Sequence, residues 1–269
     1  MGRLAVEQNR EIHFEHYAGQ GPTVVLSHGW VLNTRCWDDV IANLRDAGRA
    51  VLAYDHRACG ESDKDFADVS IDALGNDVVA LCTHLKLDRV VLNGWSLGGA
   101  VVVDAAVKLA DRLAGLVLTA GATPRYTRAD DFPHGGTPAD VAATVSALRA
   151  NRVNFLRTLY FDAVFAKDVG EPVKQSTWLA ALRASSAADA SLAALAHIDQ
   201  RDALRALGVP VLVYAGELDA VVPADICKAA ATMAPHSTLV VLPGVGHAPF
   251  LEDAAGYFAA LDDFLGGLR

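Results

Sequence analysis

The chain has 269 residues, of which 52% are hydrophobic and 20% charged, and its formal net charge is −9. That apolar content excludes a disordered chain and suffices for a large core in one or two domains. The acidic balance, with a sequence pI near 5.4, excludes a generic nucleic-acid binder, which needs clustered Lys and Arg.

Taken in chain order, short β-rich runs alternate with longer helical stretches. Arg3–Gln8 and Glu11–Tyr17 read as a hairpin around Asn9-Arg10. Thr23–Ser27 and Ala50–Tyr54 are nearly all apolar, as expected of strands covered on both faces. Helical spacing over Ile71–Leu85 is followed by the strand Arg89–Asn93, the helix Gly98–Leu109 and the strand Gly115–Thr119. Later come the strand Val209–Ala215, a helix over Ala224–Met233, the strand Thr238–Leu242 and a last helix over Asp253–Leu265. This alternation predicts an α/β fold: a mostly parallel central sheet with helices on both faces.

Between Gly121 and Ala196 no strand of the core type is expected. Thr137-Pro138-Ala139-Asp140 reads as a helix start, with Thr as cap and Pro at the first helical position, and Val141, Val145 and Leu148 follow at helical spacing. Residues 122–196 are thus expected to form an inserted helical cap over the strand ends, and 1–121 with 197–269 the core. Tyr160, Phe161, Phe165 and Trp178 supply aromatics to the insert. Phe161 and Trp178 are expected to reach the substrate, the rest to pack between helices. The insert, taken to Ile198, holds 8 Lys+Arg against 7 Asp+Glu, so the acidity belongs to the core. Arg149, Arg152 and Arg157 read either as an ordinary solvated face or as a basic stripe for an anionic partner.

Cys36, Cys59, Cys82 and Cys227 lack metal-finger or C-x-x-C spacing and read as reduced, mostly buried thiols. Met1–Glu15 holds no apolar run of the signal-peptide kind, so a cytoplasmic location is expected. The uncharged run from Ala229 to Leu251 is broken by Pro235, Pro243, Gly244 and Gly246, which argues against a membrane span.

The chemical signal is strongest at Gly94-Trp95-Ser96-Leu97-Gly98, which fits G-x-S-x-G with a strand before it and a helix after. A tight strand-to-helix turn sets the Ser96 hydroxyl beyond the sheet at a helix N-terminus, where free N–H groups can hold an oxyanion. Small residues must flank it to avoid clashes. Serine needs a base. Of nine histidines, His13 and His16 fall on the hairpin, His84 on a helix and His134 in the insert. His247 follows the last strand in Gly246-His247-Ala248 and belongs at the same sheet edge as Ser96. Asp219, after the strand Val209–Ala215, completes the order Ser…Asp…His; Glu217 is its rival, and Asp225 reads as part of a helix start. The loop Ser27-His28-Gly29-Trp30 suits the second oxyanion donor, so the backbone N–H groups of Trp30 and Leu97 are assigned to an oxyanion hole. His28 is expected to bond locally, and Trp30 and Trp95 to wall the substrate pocket.

His28-Gly29, the Ser96 turn, Asp219 and Gly246-His247 together resemble the α/β-hydrolase superfamily over essentially the whole chain. Asp55-His56-Arg57-Ala58-Cys59-Gly60-Glu61-Ser62 resembles that family's D-x-R-G-x-G-x-S turn, with Ala58 in place of its first Gly. Within the superfamily, the His28-Gly29-Trp30-Val31-Leu32-Asn33, Ser96 and Gly246–Phe250 motifs resemble the pimeloyl-carrier-protein methyl esterases. The last two also resemble acyl-homoserine lactonases, and Tyr54–Arg57 the cofactor-free haloperoxidase/perhydrolase esterases. A Ser nucleophile sets the chain apart from the dehalogenases and epoxide hydrolases of this fold, which use a carboxylate.

The reading is a serine esterase or lactonase that works through an acyl-serine, with Ser96, His247 and Asp219 as triad and no metal or cofactor. Its partner is a small ester or lactone, with neither nucleic acid nor membrane involved; a homodimer stays open. Perhydrolysis, C–C bond hydrolysis and a ligand receptor built on a hydrolase fold are the alternatives.

Overall fold

The structure, a computed structural model, describes residues 1–268. β1 (Gly2–Glu7) and β2 (Arg10–Tyr17) form the antiparallel hairpin the sequence predicts, with Asn9 in the left-handed region at φ 58°. Then follow β3 (Gln20–Ser27), α1 (Asp38–Asp46), β4 (Arg49–Tyr54), α2 (Ile71–His84), β5 (Val90–Trp95), α3 (Leu97–Leu109) and β6 (Leu113–Thr119). After β6 come α4 (Pro138–Ala150), α5 (Arg152–Thr158), a π turn at Leu159–Ala163, α6 (Glu171–Leu182), α7 (Asp189–Leu195) and α8 (Arg201–Arg205). The chain closes with β7 (Val211–Gly216), α9 (Ala224–Met233), β8 (Ser237–Leu242), α10 (Pro249–Glu252) and α11 (Ala254–Gly267). Among the described residues no strand of the sheet lies between β6 and β7.

The strands form one sheet in the order β1-β2-β4-β3-β5-β6-β7-β8. β2 pairs antiparallel with β1 and β4, and every later pair is parallel. Val24, Val25, Leu26, Val91, Leu92 and Val213 are fully buried, as central strands covered on both faces require. Burying each such side chain stabilises the fold by roughly 1.5–3 kcal/mol. Helix α3 is likewise apolar nearly all round, and a Cβ on Gly99 would stand 2.6 Å from Gly121 Cα. Glycine there lets the helix lie close against the loop after β6.

Topology creates the crevice. From β3 the chain moves to β4 on one side of it, then crosses to β5 on the other. Strand ends that diverge in this way leave a cleft above the carboxyl edge, where α/β folds bind ligands. Ser27 pairs with Gly94, Trp95 with Thr119 and Gly216 with Leu242, so the loops after β3, β5, β6, β7 and β8 all leave from that edge. The uncharged run 229–251 divides into the end of α9, β8, a loop and the start of α10, and no described helix is long and apolar enough to cross a membrane.

Candidate active site

The turn between β5 and α3 places Ser96 at φ 56°, ψ −122°, a conformation that costs energy for any residue with a Cβ. The surroundings hold it there. Ser96 N–H donates to Thr119 O at 3.1 Å, and Ser96 O accepts from Gly99 N–H at 2.9 Å and Ala122 N–H at 2.8 Å. The flanking glycines are required sterically: a Cβ on Gly94 would stand 2.2 Å from Gly98 O, and one on Gly98 2.3 Å from Ser27 O. Leu97 begins α3, so its N–H has no acceptor within that helix.

His247 lies on the loop after β8. Its Nδ1 is 2.8 Å from Asp219 Oδ2, and both side chains are buried. Asp219 Oδ1 accepts from the N–H groups of Val221 and Val222, each at 2.8 Å, which fixes the carboxylate. The rival Glu217 is exposed and accepts from Gly244 N–H at 2.9 Å, well occupied elsewhere on the loop. Asp225 lies in the first turn of α9.

Two groups hold the His247 loop that sequence reasoning did not single out. Buried Glu252 accepts from Gly246 N–H and Ala248 N–H, the residues on either side of His247, at 2.8 and 3.0 Å. It also accepts from Ala166 N–H and Lys167 N–H of the insert at 2.8 and 2.9 Å. His247 N–H itself donates to Val164 O at 2.8 Å. The only sequence hint of Glu252 is an acidic residue five positions after a candidate base. Its partners in the insert lie some 85 residues away, and all four partners are backbone N–H groups that carry no side-chain signal.

The loop after β3 rests on a buried polar network. His28 Nδ1 is 2.7 Å from Gly29 O, and its Nε2 accepts from His56 N–H at 2.9 Å, so the ring is a neutral Nδ1–H tautomer. Burial pushes the His28 pKa down and that of the stacked His56 well down. His28 thus bonds locally, as expected. Val31, β-branched, sits at φ 54°, so backbone strain lies beside Trp30 as well as at Ser96. The insert reaches this loop twice: Tyr160 O–H donates to Trp30 O at 3.0 Å, and Trp30 Nε1–H donates to Ala188 O at 3.1 Å. In the turn that resembles D-x-R-G-x-G-x-S, Ala58 adopts φ 65°, a backbone position that favours the glycine it replaces.

Ser96, His247, Trp30, Leu97 and Trp95 line one cavity, with Tyr126, Phe155, Leu159, Tyr160 and Leu192 of the insert among its other walls. Trp95 has a second task. Its buried indole donates Nε1–H to His247 O at 2.7 Å and packs edge-on against Trp37 and Phe250. Phe161 and Trp178 depart from expectation. They pack edge-to-face on each other, Trp178 Nε1–H donates to Val153 O, and the Arg157 guanidinium stacks over Phe161. Neither lines the cavity; Tyr160, one residue earlier, does. The π turn sets which of these neighbouring aromatics faces inward. The three arginines form no free stripe either, since Arg152 is paired with buried Asp189 and Arg157 is stacked.

The chain belongs to the α/β-hydrolase family: the family model described as alpha/beta hydrolase fold matches residues 22–254. It is 30% identical to a pimeloyl-[acyl-carrier protein] methyl ester esterase of Aeromonas hydrophila, over 92% of this chain and 97% of that one. It is also 30% identical to a non-heme haloperoxidase of Rhodococcus erythropolis, over 91% of this chain and 92% of that one. Among solved structures, an esterase from Exiguobacterium antarcticum superposes with a TM-score of 0.92 at 27% identity, covering 96% of each chain. Two of the resemblances read from the motifs, to the carrier-protein methyl esterases and to the haloperoxidases, recur among these relatives.

Proposed function

We propose that this protein is a serine hydrolase of carboxylic esters, with residues 122–196 acting as a cap over the site. The observation that carries this reading is one cavity lined by both Ser96, in a strained turn at a helix start, and His247, whose Nδ1 is hydrogen-bonded to buried Asp219. His247 takes the Ser96 proton as Oγ attacks the ester carbonyl. The N–H groups of Trp30 and Leu97 hold the oxyanion; in other enzymes removal of one such donor costs about 2.7–4 kcal/mol. The C–O bond then breaks and the alcohol leaves with the proton from His247, giving acyl-Ser96. Water, deprotonated by His247, attacks the acyl carbon and releases the acid. Asp219 keeps the imidazole in the tautomer whose Nε2 can accept a proton. The relatives named as esterases support this chemistry.

Purified protein should hydrolyse p-nitrophenyl acetate and butyrate, and Ser96→Ala should lower kcat by at least a thousandfold without changing the far-UV spectrum. An undiminished rate in the variant sinks the assignment. The haloperoxidase relative favours a second reading of the same site, in which peroxide replaces water at the acyl-enzyme. Peracid formation from acetate and hydrogen peroxide, lost in Ser96→Ala, is its test.

A further inference from the structure

A second cavity adjoins the first on the insert side. It offers water-sized molecules about 200 Å³ of space and is bounded by the loop at Gly135-Gly136, the first turns of α4 and the loop after β7. The two cavities share four wall residues: Tyr126, Thr144, Leu192 and Val221. Tyr126 is the largest of these. Its O–H donates to Val221 O at 3.3 Å, so the phenol spans from the start of the insert to the loop that carries Asp219. Gly135 and Gly136 form part of the second cavity's wall, Gly135 close against the Tyr126 backbone. Gly135 takes φ 82°, and a Cβ there would stand 2.3 Å from Tyr126 O.

The lining also defines the chemistry. Among the described residues neither cavity is lined by Lys or Arg, so away from His247 and the Ser96 turn no cationic side chain would compensate a buried carboxylate or phosphate on a ligand. The one charged side chain in the second cavity is Asp140, whose carboxylate accepts from Thr137 N–H at 2.7 Å and would repel an anionic chain end. Apart from Thr144, whose hydroxyl donates to Asp140 O at 2.9 Å, the other lining side chains are aliphatic or aromatic, which suits an uncharged chain.

We propose that Tyr126 is a partition between the reaction cavity and a second, chain-binding cavity, and sets the length of uncharged acyl or alkyl chain the site takes. The catalytic use of this subsite rests on the esterase reading above; the subsite itself does not. With Tyr126 in place a chain stops at the phenol. With the ring removed it continues into the space beyond.

The test uses linear primary alcohols from butanol to decanol, titrated into full-length Ser96→Ala protein and read by tryptophan fluorescence, since Trp30 and Trp95 line the first cavity. Affinity should rise with each methylene and then level off. Adding Tyr126→Ala should move the plateau several carbons further, at about fourfold per added methylene. Tyr126→Phe, which keeps the ring and loses only the bond to Val221, should keep the original plateau. Val221→Ala, opening the partition from its other side, should move it in the same direction by less, and serves if Tyr126→Ala does not fold. A plateau at the same chain length in folded Tyr126→Ala, or in Val221→Ala where that variant alone folds, overturns the proposal. In parallel, p-nitrophenyl esters of the same lengths are assayed with Ser96 intact, where Tyr126→Ala should shift the kcat/KM optimum to longer chains. Shifted alcohol plateaus without any ester turnover would remove the esterase reading and leave the partition standing.

Discussion

A single carboxylate, Glu252, bears much of the order at the candidate base. Its two oxygens receive four backbone N–H groups, two flanking His247 and two from the insert. A charged acceptor suits this cradle of donors, and hydrogen bonds to charged groups contribute about 1.5–3 kcal/mol each. In Glu252→Gln an amide NH2 would face N–H donors. The expected result is a fall in thermal midpoint and a loss of tenfold or more in kcat with a smaller change in KM, because the loop that aims His247 loosens while the cavity walls remain. An unchanged kcat in the folded variant would show that Trp95 and Val164, which also bond the His247 backbone, hold it without help.

The secondary elements were legible to the degree that they carry their own local signal. α4 begins where Thr137-Pro138-Ala139-Asp140 predicts, and the reciprocal capping box forms. α9 spans Ala224–Met233 as read, β3 and β6 extend their predicted strands by a few residues at the start, and β5 begins one residue later and ends two later than predicted. α1 went unread because its N-cap position is Trp37, with no side-chain cap; the Asn33 cap belongs to the 3₁₀ turn before it. α8, at five residues, is too short to display a period. The insert helices depend on a contact no periodicity reveals: Arg152 at the start of α5 reaches the buried carboxylate of Asp189 at the start of α7 and donates to Ala184 O. Arg152→Ala strands that carboxylate. It should lower stability by about 3–5 kcal/mol, measured by urea denaturation, and expose the insert to proteolysis before the sheet. Arg149→Ala, on the exposed side of α4, should leave the stability within about 0.5 kcal/mol of wild type and the pattern of proteolysis unchanged.

At the scale of the whole molecule, one sheet buried on both faces also decides the state of the thiols. All four cysteines are free. Burial pushes the Cys59 and Cys82 thiols up to about 12, and those of Cys227 and Cys36 upward as well. Thiolates are the reactive form, so folding should silence them. In Ellman titration at pH 8 the native protein should react at no more than Cys36, the only one of the four with appreciable exposure, and four thiols per chain should appear in guanidinium. Two missing thiols in denaturant without reductant would reveal a disulfide. The charge is unevenly divided too: residues 122–198 carry a net +1 and the rest of the chain −10, while among the described residues neither of the two adjoining cavities is lined by Lys or Arg.

What the sequence determined by itself was whatever neighbours along the chain can enforce. Glycines two positions either side of Ser96 allow a turn that side chains would block. Apolar runs of five or six residues become covered strands. The order of Ser96, Asp219 and His247 along alternating strands and helices brings their loops to one sheet edge. Tertiary structure alone decided the rest, because those choices depend on partners far apart in the chain. Tyr160 rather than Phe161 or Trp178 faces the cavity, through a π turn and a bond to Trp30 O across 130 residues. Glu252 and Val164 tie the insert to the His247 loop through backbone groups that every residue possesses, so no residue type announces them. Likewise Tyr126 lines two adjoining cavities together with Thr144, Leu192 and Val221, which reach it from three other segments of the chain.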